Sequence, residues 1–190
     1  MPEQRAAEGP DLGAVFDLHV ASEFETKDLD ATMTTMVDEP YVTHVPTLAG
    51  GVGGAGVRRF YRDHFIGHWP DDVRITHVAR TAGADRVVDE MVMHFTHDRV
   101  MDTFLPGVAP TGRYVELPVV VVAGFQGDKV ASEHIYWDQA SLLVQVGLLD
   151  PESLPVCGEE QAAKVLDEDR PCNGLIARAG RAGRAARGSA

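Results

Sequence analysis

Two strand–turn–strand patterns in the second half of the chain constrain its fold more than any other feature. Residues 73–81 and 86–96 flank a turn at 82–85, and residues 113–125 and 129–138 flank a turn at 126–128. Connections this short join antiparallel neighbours. The segment 117–125 is apolar at nearly every position, so we expect both of its faces to be covered, with Pro118 at an edge or a bulge.

Three helical patterns precede these hairpins. Apolar residues recur at helical spacing in residues 11–26, 29–37 and 57–68, and a short strand at 41–45 separates the last two helices. Pro40 is expected to end the second helix, because proline cannot continue it. Helices first and hairpins later is the order of an α+β domain. We therefore predict a single α+β domain, with helices packed on the concave face of a strongly curved antiparallel sheet that encloses an apolar pocket.

The boundaries of this domain follow from where the patterns stop. The domain is predicted at 11–150, and residues 1–10 are expected to be disordered. An extended C-terminal arm is predicted at 151–176, with a weak helix signal at 159–166, and a basic tail of alanine, glycine and arginine at 177–190. We expect the tail to be disordered and to aid solubility; a nucleic-acid-binding arm is the alternative.

Charge and composition exclude several classes of function. The net charge is −12. Residues 170–190 contain five arginines and no acidic residue, so the rest of the chain carries −12 − 5 = −17. Such a body repels nucleic acid and anionic membranes. The chain has no apolar run of membrane-spanning length and no signal-peptide pattern, which predicts a cytoplasmic protein. Cys157 and Cys172 are interpreted as free thiols, and no residue spacing resembles a metal motif, so we expect neither a metal nor a cofactor.

A glycine-rich segment, Gly51-Val-Gly-Gly-Ala-Gly56, matches the G-x-G-x-x-G pattern of dinucleotide-binding proteins. It follows a predicted strand and precedes a predicted helix. The hairpins that come after it, however, do not supply the parallel βαβ unit in which the pattern binds nucleotides. We therefore interpret it as a flexible loop at the edge of the pocket.

The last predicted strand carries the first candidate site. Strand alternation places His134, Tyr136 and Asp138 on one face, and Glu133, Ile135 and Trp137 on the other. We expect the first face to look into the pocket and the second to serve packing or an interface. Asp138 also precedes the apolar turn of a helix, where aspartate is a preferred N-cap, and both roles stay open.

Other candidates lie on neighbouring elements. Glu90 and His94 share a strand face; in an apolar pocket, burial would raise the pKa of the glutamate and lower that of the histidine. An ion pair for Glu90 and a strand-capping role for His94 are the alternative. His44 ends the first strand, where it could reach the pocket mouth, and His64 is either a core histidine or a pocket donor. The substrate-binding candidates are His44, Tyr61, His64, Phe65 and Tyr136.

The chain resembles the SnoaL-like polyketide cyclase group of the NTF2-like superfamily, including a subgroup labelled carboxymethylenebutenolidase-like. The resemblance spans roughly residues 11–150 and rests on Glu-His-Ile-Tyr-Trp-Asp-Gln-Ala-Ser-Leu-Leu at 133–143, together with shorter matches at 44–51, 60–65, 88–97, 105–112 and 145–150. It implies a cone of three N-terminal helices on a curved antiparallel sheet. It also implies that an aspartate at the end of the last strand, here Asp138, serves as acid/base in a cofactor-free aldol closure.

The leading hypothesis is a small-molecule enzyme in which Asp138, assisted by His134, removes a proton next to a carbonyl group. Glu90, His94 or His44 would then orient or protonate the oxygen. Two alternatives stay open: a non-catalytic ligand-binding or dimerising module, and a water-activating epoxide or lactone hydrolase. The expected ligand is a small hydrophobic carbonyl compound, and the expected assembly is a homodimer packed sheet to sheet through Trp137.

Overall fold

The structure, a computed structural model, describes residues 9–188, and the side chains of 182–188 are not described. The helices are α1 Leu12–Phe24, α2 Leu29–Thr34, α3 Gly53–Phe60 with a π-helical turn Tyr61–Phe65, α4 Gln139–Gln145, α5 Glu160–Leu166 and α6 Gly174–Gly188. The strands are β1 Met36–His44, β2 Ala49–Val52, β3 Arg74–Ala82, β4 Arg86–Thr96, β5 Tyr114–Gln126 and β6 Lys129–Trp137. The α+β prediction is confirmed.

The six strands form one sheet in the order β2-β1-β6-β5-β4-β3. The pairs β3–β4 and β5–β6 are the two predicted hairpins, and every neighbouring pair is antiparallel except β1 with β6, which is parallel. β1 starts earlier than expected, because α2 ends at Thr34 and the strand runs through Pro40. The β1–β6 register shifts between Met36 and Tyr41, and a residue without an N–H is tolerated where the ladder is irregular.

Helix α1 brings polar side chains into the interior. Asp11 caps it by accepting a hydrogen bond from the backbone N–H of Ala14 at 3.1 Å. Its buried face includes Phe16, His19 and Glu23, which recur at helical spacing. The same face that carries apolar residues into the core therefore also carries an imidazole and a carboxylate.

Strand alternation sets the two faces of the sheet. On β6 the inward set is Glu133, Ile135 and Trp137, all buried, and Trp137 stacks on Phe104 with ring centroids 4.2 Å apart. We call the opposite side the outer face. The expectation that Trp137 belongs to an outward interface is wrong, because its ring is part of the aromatic core.

The glycine-rich segment is not a flexible loop. Gly51 lies in β2, and α3 already begins at Gly53, four residues before the helix expected at Val57. A Cβ atom on Gly51 would lie 2.6 Å from the backbone of Gly56. Glycine is required here because β2 and α3 cross in direct backbone contact, which explains the motif without a nucleotide.

Two helices follow the predicted domain. In the predicted arm, α5 lies where the weak helix signal at 159–166 was found, and it packs against β5. The tail, which was expected to be disordered, is helical in α6 up to Gly188. The expected disorder of residues 1–10 concerns mainly 1–8, which lie outside the described residues. Among the residues described, no helix combines the length and apolarity needed to cross a bilayer.

Candidate active site

A narrow cavity, called the inner cavity, lies between α1, the π-helical turn and the concave face of the sheet. Its wall is apolar and aromatic except for Glu23, His44, Tyr61 and Glu133. Its empty space totals about 520 Å³, part of it open to solvent, but the centres of water molecules can occupy only about 50 Å³. One water needs roughly 10–15 Å³ of space for its centre. The cavity therefore accepts several waters or a slim, flat molecule.

Four buried side chains, called the inner cluster, meet at this wall: His19, Glu23, Tyr61 and Glu133. His19 Nε2 lies 3.3 Å from Glu23 Oε1 and 3.4 Å from Glu133 Oε2. The Tyr61 hydroxyl donates to Glu133 Oε2 at 2.9 Å and lies 3.4 Å from His19 Nε2. One imidazole thus lies between two carboxyl groups that face an apolar space, and a phenol donates to one of them.

The hydrogen bonds of Thr35 define one proton of His19. The Thr35 hydroxyl donates to the carbonyl oxygen of Thr32 at 2.6 Å, so it can only accept from His19 Nδ1, which lies 2.6 Å away. Nδ1 therefore carries a proton, and Nε2 faces two carboxyl oxygens. A second proton must lie between Nε2 and these oxygens, either on the ring or on a carboxyl group.

The pKa values locate that proton on the imidazole. Burial works to lower the pKa of His19, but the charges and hydrogen bonds of Glu133 and Glu23 outweigh it and raise the pKa to about 10. Burial raises the pKa of Glu23 against the influence of His19. Burial acts the same way on Glu133, but His19 and Tyr61 outweigh it and lower its pKa. The cluster therefore pairs a carboxylate with an imidazolium and keeps a second carboxyl group that holds its proton more tightly than usual.

His44 is a neutral imidazole on the same wall. Its ring is packed among Phe60, Phe65, Phe104 and Trp137, with centroids 5.4–5.9 Å away. Burial lowers its pKa to about 4, and the charge of Glu133 opposes the shift. Nδ1 donates to the carbonyl oxygen of Ala49 at 3.3 Å, which leaves Nε2 of the neutral ring as a hydrogen-bond acceptor.

The inner cluster also has the spacing of a cation site. Ligand atoms of His19, Glu23 and Glu133 lie within 4.8 Å of one another. A divalent cation needs the free Nε2 lone pair of a neutral imidazole. A cation bound here would have to displace the proton that Nε2 shares with the two carboxyl groups. The chemistry proposed below uses the hydrogen bonds among these side chains.

The four predicted catalytic residues do not meet at the inner cavity. By strand alternation, His134 and Asp138 belong to the outer face of β6. Glu90 and His94 belong to the outer face of β4, because Met91 and Met93 on that strand line the inner cavity. The alternation was predicted correctly, but the choice of inward face was wrong. The face of β6 that carries the larger apolar side chains, Ile135 and Trp137, points inward, and Glu133 lies on the same face.

Two of these outward residues, Asp138 and His94, make local side-chain hydrogen bonds. Asp138 accepts hydrogen bonds from the N–H groups of Ala140 and Ser141 at 2.8 and 3.3 Å, so it is the N-cap of α4, and Gln161 donates to its other oxygen at 2.6 Å. His94 contacts Glu116 Oε1 at 3.1 Å and Thr76 Oγ1 at 3.0 Å.

The expected substrate-binding residues divide in the same way. His44, Tyr61 and Phe65 line the inner cavity. Tyr136 is 43% exposed, and His64 is half-exposed beside Asp102 at 3.3 Å. Sequence reasoning missed His19, Glu23 and Glu133. One signal for them was present: His19 and Glu23 lie four residues apart within the apolar stripe of α1.

Comparisons with known proteins agree with this architecture. The family model described as the SnoaL-like domain matches residues 18–133. No curated protein matches the chain. Three similar solved structures are a candidate SnoaL-like polyketide cyclase from Jannaschia sp. CCS1, a protein of ketosteroid isomerase-like fold from Catenulispora acidiphila, and AclR, a candidate hydroxylase from Streptomyces galilaeus.

These structures share the fold at low sequence identity. The Jannaschia protein is 15% identical with a TM-score of 0.57, and the match covers 76% of this chain and 100% of that one. The Catenulispora protein is 16% identical, with a TM-score of 0.55 and coverages of 75% and 96%. AclR is 20% identical, with a TM-score of 0.54 and coverages of 73% and 86%.

Proposed function

Since the chain belongs to the SnoaL-like domain family, with the NTF2-like fold that its sequence predicts, we propose that it is a cofactor-independent enzyme acting on a small carbonyl compound. The reaction is proton abstraction next to the carbonyl group, followed by isomerisation or an aldol-type ring closure. The observation that carries the proposal is the inner cluster at the wall of an apolar cavity. It holds two carboxyl groups of unequal proton affinity, with His19 between them and Tyr61 donating to Glu133.

Glu133 is the proposed base. It is the carboxylate whose pKa is lowered, so it is ionised and ready to accept a proton at neutral pH. Its Oε2 is held by Tyr61 at 2.9 Å, which fixes the orientation of the group. The proton leaves the carbon next to the carbonyl group and passes to Glu133, while the electron pair of the C–H bond forms the enolate.

Glu23 is the proposed acid. Burial raises its pKa, which favours the protonated form, and in that form its O–H would donate to the carbonyl oxygen of the ligand as negative charge develops there. The cavity wall around it is apolar, which strengthens such a hydrogen bond because water does not compete. The neutral His44 supplies an acceptor on the same wall for a hydroxyl or enol group of the ligand.

Exchange of hydrogen for deuterium tests this function without knowledge of the natural substrate. Ketones of one and two rings, from cyclohexanone to 2-tetralone, are incubated in D2O, and deuterium at the α-carbon is followed by NMR. We expect the wild type to exceed the buffer rate and Glu133→Gln to lose about 10²–10⁴-fold, the usual contribution of a positioned base. Glu90→Gln on the outer face is the matched control and should keep the wild-type rate. Exchange at the buffer rate with every ketone would contradict the proposal.

Hydrolysis by an activated water is the second candidate, because one specific observation favours it. Carboxyl oxygens of Glu23 and Glu133 lie within 4.8 Å of each other, so one water can reach both. An epoxide or lactone opened in this way takes its new oxygen from water. Turnover in water labelled with ¹⁸O separates the two candidates, since isomerisation and ring closure leave the product unlabelled.

The homodimer stays a proposal, with an interface on the outer face of the sheet that does not include Trp137. Two aromatic side chains, Tyr41 and Tyr136, are 39% and 43% exposed, and Tyr41 packs edge-on against His134 of the outer face at 5.5 Å. These rings support an interface there. Light scattering at micromolar concentration should give twice the mass of the chain, and a monomer mass would contradict the interface.

A further inference from the structure

A second cavity, called the outer recess, lies beside the inner cavity. It is bounded by α1 on one side and by β3 and β4 on the other. The centres of water molecules can occupy about 460 Å³ of it, compared with about 50 Å³ in the inner cavity. The recess is therefore wide enough for a polar substituent that the inner cavity cannot hold.

The two cavities share a wall of four apolar side chains. Val20 and Phe24 from α1 and Ile75 and Met91 from the sheet line both spaces. Val20, Phe24 and Ile75 are only partly buried, so they separate the recess from the inner cavity without any polar barrier. A ligand that reached from the inner cavity into the recess would pass between these apolar side chains.

The one arginine that lines the recess directs four of its five N–H donors to groups of the protein. Arg80 donates from Nε and one terminal nitrogen to the two oxygens of Asp89 at 2.5 and 2.6 Å. The same terminal nitrogen donates to Asp17 at 2.7 Å, and the other donates to the carbonyl oxygen of Gly13 at 3.1 Å. Arg80 therefore joins α1, β3 and β4, and its charge is paired with Asp17 and Asp89.

The charges that line the recess are predominantly negative. Asp17, Glu25 and Asp89 contribute −3 and Arg80 contributes +1, which leaves −2 with His77 neutral. Asp17 and Glu25 are exposed, whereas Asp89 is buried beneath Arg80. His77 Nε2 lies 3.5 Å from Asp89 Oδ2, so even this histidine faces a carboxylate.

We propose that the outer recess holds the part of the ligand that extends beyond the inner cavity, and that it accepts a neutral or cationic group there and disfavours an anionic one. The inference rests on the proposed function, because it places the reacting carbonyl compound in the inner cavity. It narrows the substrate class to ring compounds without a carboxylate, phosphate or sulfate on the side away from the reacting carbon.

Three matched ligands test the selection by charge. They are 2-tetralones that carry a methyl, an aminomethyl or a carboxymethyl group on the ring remote from the ketone. Binding is measured by quenching of tryptophan fluorescence, since Trp69 lines the inner cavity. The recess carries a net charge of −2, at roughly 8 Å from the charged group of the ligand. We expect the cationic ligand to bind about tenfold more tightly than the anionic one at physiological salt. The preference should be much smaller at about 1 M salt, because dissolved ions screen the charges.

A pair of double variants identifies the residues responsible. Asp17→Asn with Glu25→Gln removes the two exposed charges of the recess and should abolish the preference. Asp85→Asn with Asp128→Asn removes the same charge at the exposed hairpin turns and should leave it intact.

The outcomes also separate this inference from the proposed function. Equal affinity for the three ligands, or loss of preference in the Asp85/Asp128 control, would overturn the recess as a selecting site. So would failure of all three to bind. Charge selection without deuterium exchange would retain the recess and contradict the proposed chemistry.

Discussion

Replacing His44 by glutamine should make the fold more resistant to acid. The imidazole of His44 is surrounded by four aromatic rings, and burial lowers its pKa from 6.5 to about 4. The unfolded chain therefore takes up a proton on this residue near pH 6.5, and the folded chain does so only near pH 4. Glutamine stays neutral at every pH, so the stability of the variant lacks the pH dependence that His44 causes.

The sign and size of the effect follow from that difference. A histidine with a depressed pKa contributes stability that is fully present above pH 6.5 and is lost as the pH falls towards 4. The interval between 6.5 and about 4 corresponds to about 3 kcal/mol of unfolding free energy. The other buried groups, His19, Glu23 and Glu133, are present in both proteins, so their contributions largely cancel in the comparison.

Urea denaturation across this pH range measures the effect. The free energy of unfolding of the wild type should fall relative to His44→Gln by about 3 kcal/mol, with unchanged m-values. His68→Gln, at an exposed histidine, is the matched control and should follow the wild type. A constant difference between wild type and His44→Gln would refute the claim that the fold buries a neutral imidazole.

Three further predictions concern a cap, a close contact and the base. Asp138→Ala removes the N-cap of α4 and should lower the unfolding free energy by about 1 kcal/mol, seen in thermal denaturation, with deuterium exchange unchanged. Gly51→Ala places a Cβ 2.6 Å from the backbone of Gly56 and should cost at least about 2 kcal/mol, measured in urea. Tyr61→Phe removes a hydrogen bond that lowers the pKa of Glu133, so the acid limb of the pH–rate profile should move to higher pH.

The fold could be predicted because its signals are local. The turns at 82–85 and 126–128 each lie between two strand patterns, and the paired strands are β3–β4 and β5–β6 as expected. The course of β1 could not be predicted in the same way. Its parallel pairing with β6 joins segments far apart in the chain, and this pairing tolerates Pro40 within a strand.

The site was harder to predict because alternation defines two faces without saying which one is buried. On β6 the set His134, Tyr136 and Asp138 has more polar chemistry, but the set Glu133, Ile135 and Trp137 has the larger apolar surface. Burial of apolar area decides the orientation. Glu133 is carried inward by its neighbours, and its burial is tolerated because His19 and Tyr61 supply hydrogen bonds.

Comparison of the two carboxyl groups of the inner cluster with Asp138 tests the central claim most directly. The claim is that the inner cluster, and not Asp138, abstracts the proton. Glu133→Gln and Glu23→Gln change the inner cluster, whereas Asp138→Asn changes the outward residue first expected to act as the base and keeps a good N-cap. Deuterium exchange of one ketone is measured for all three after circular dichroism confirms folding. The account predicts a loss of at least about 10²-fold for Glu133→Gln, a clear loss for Glu23→Gln and a wild-type rate for Asp138→Asn. Full activity in Glu133→Gln together with loss in Asp138→Asn would contradict it.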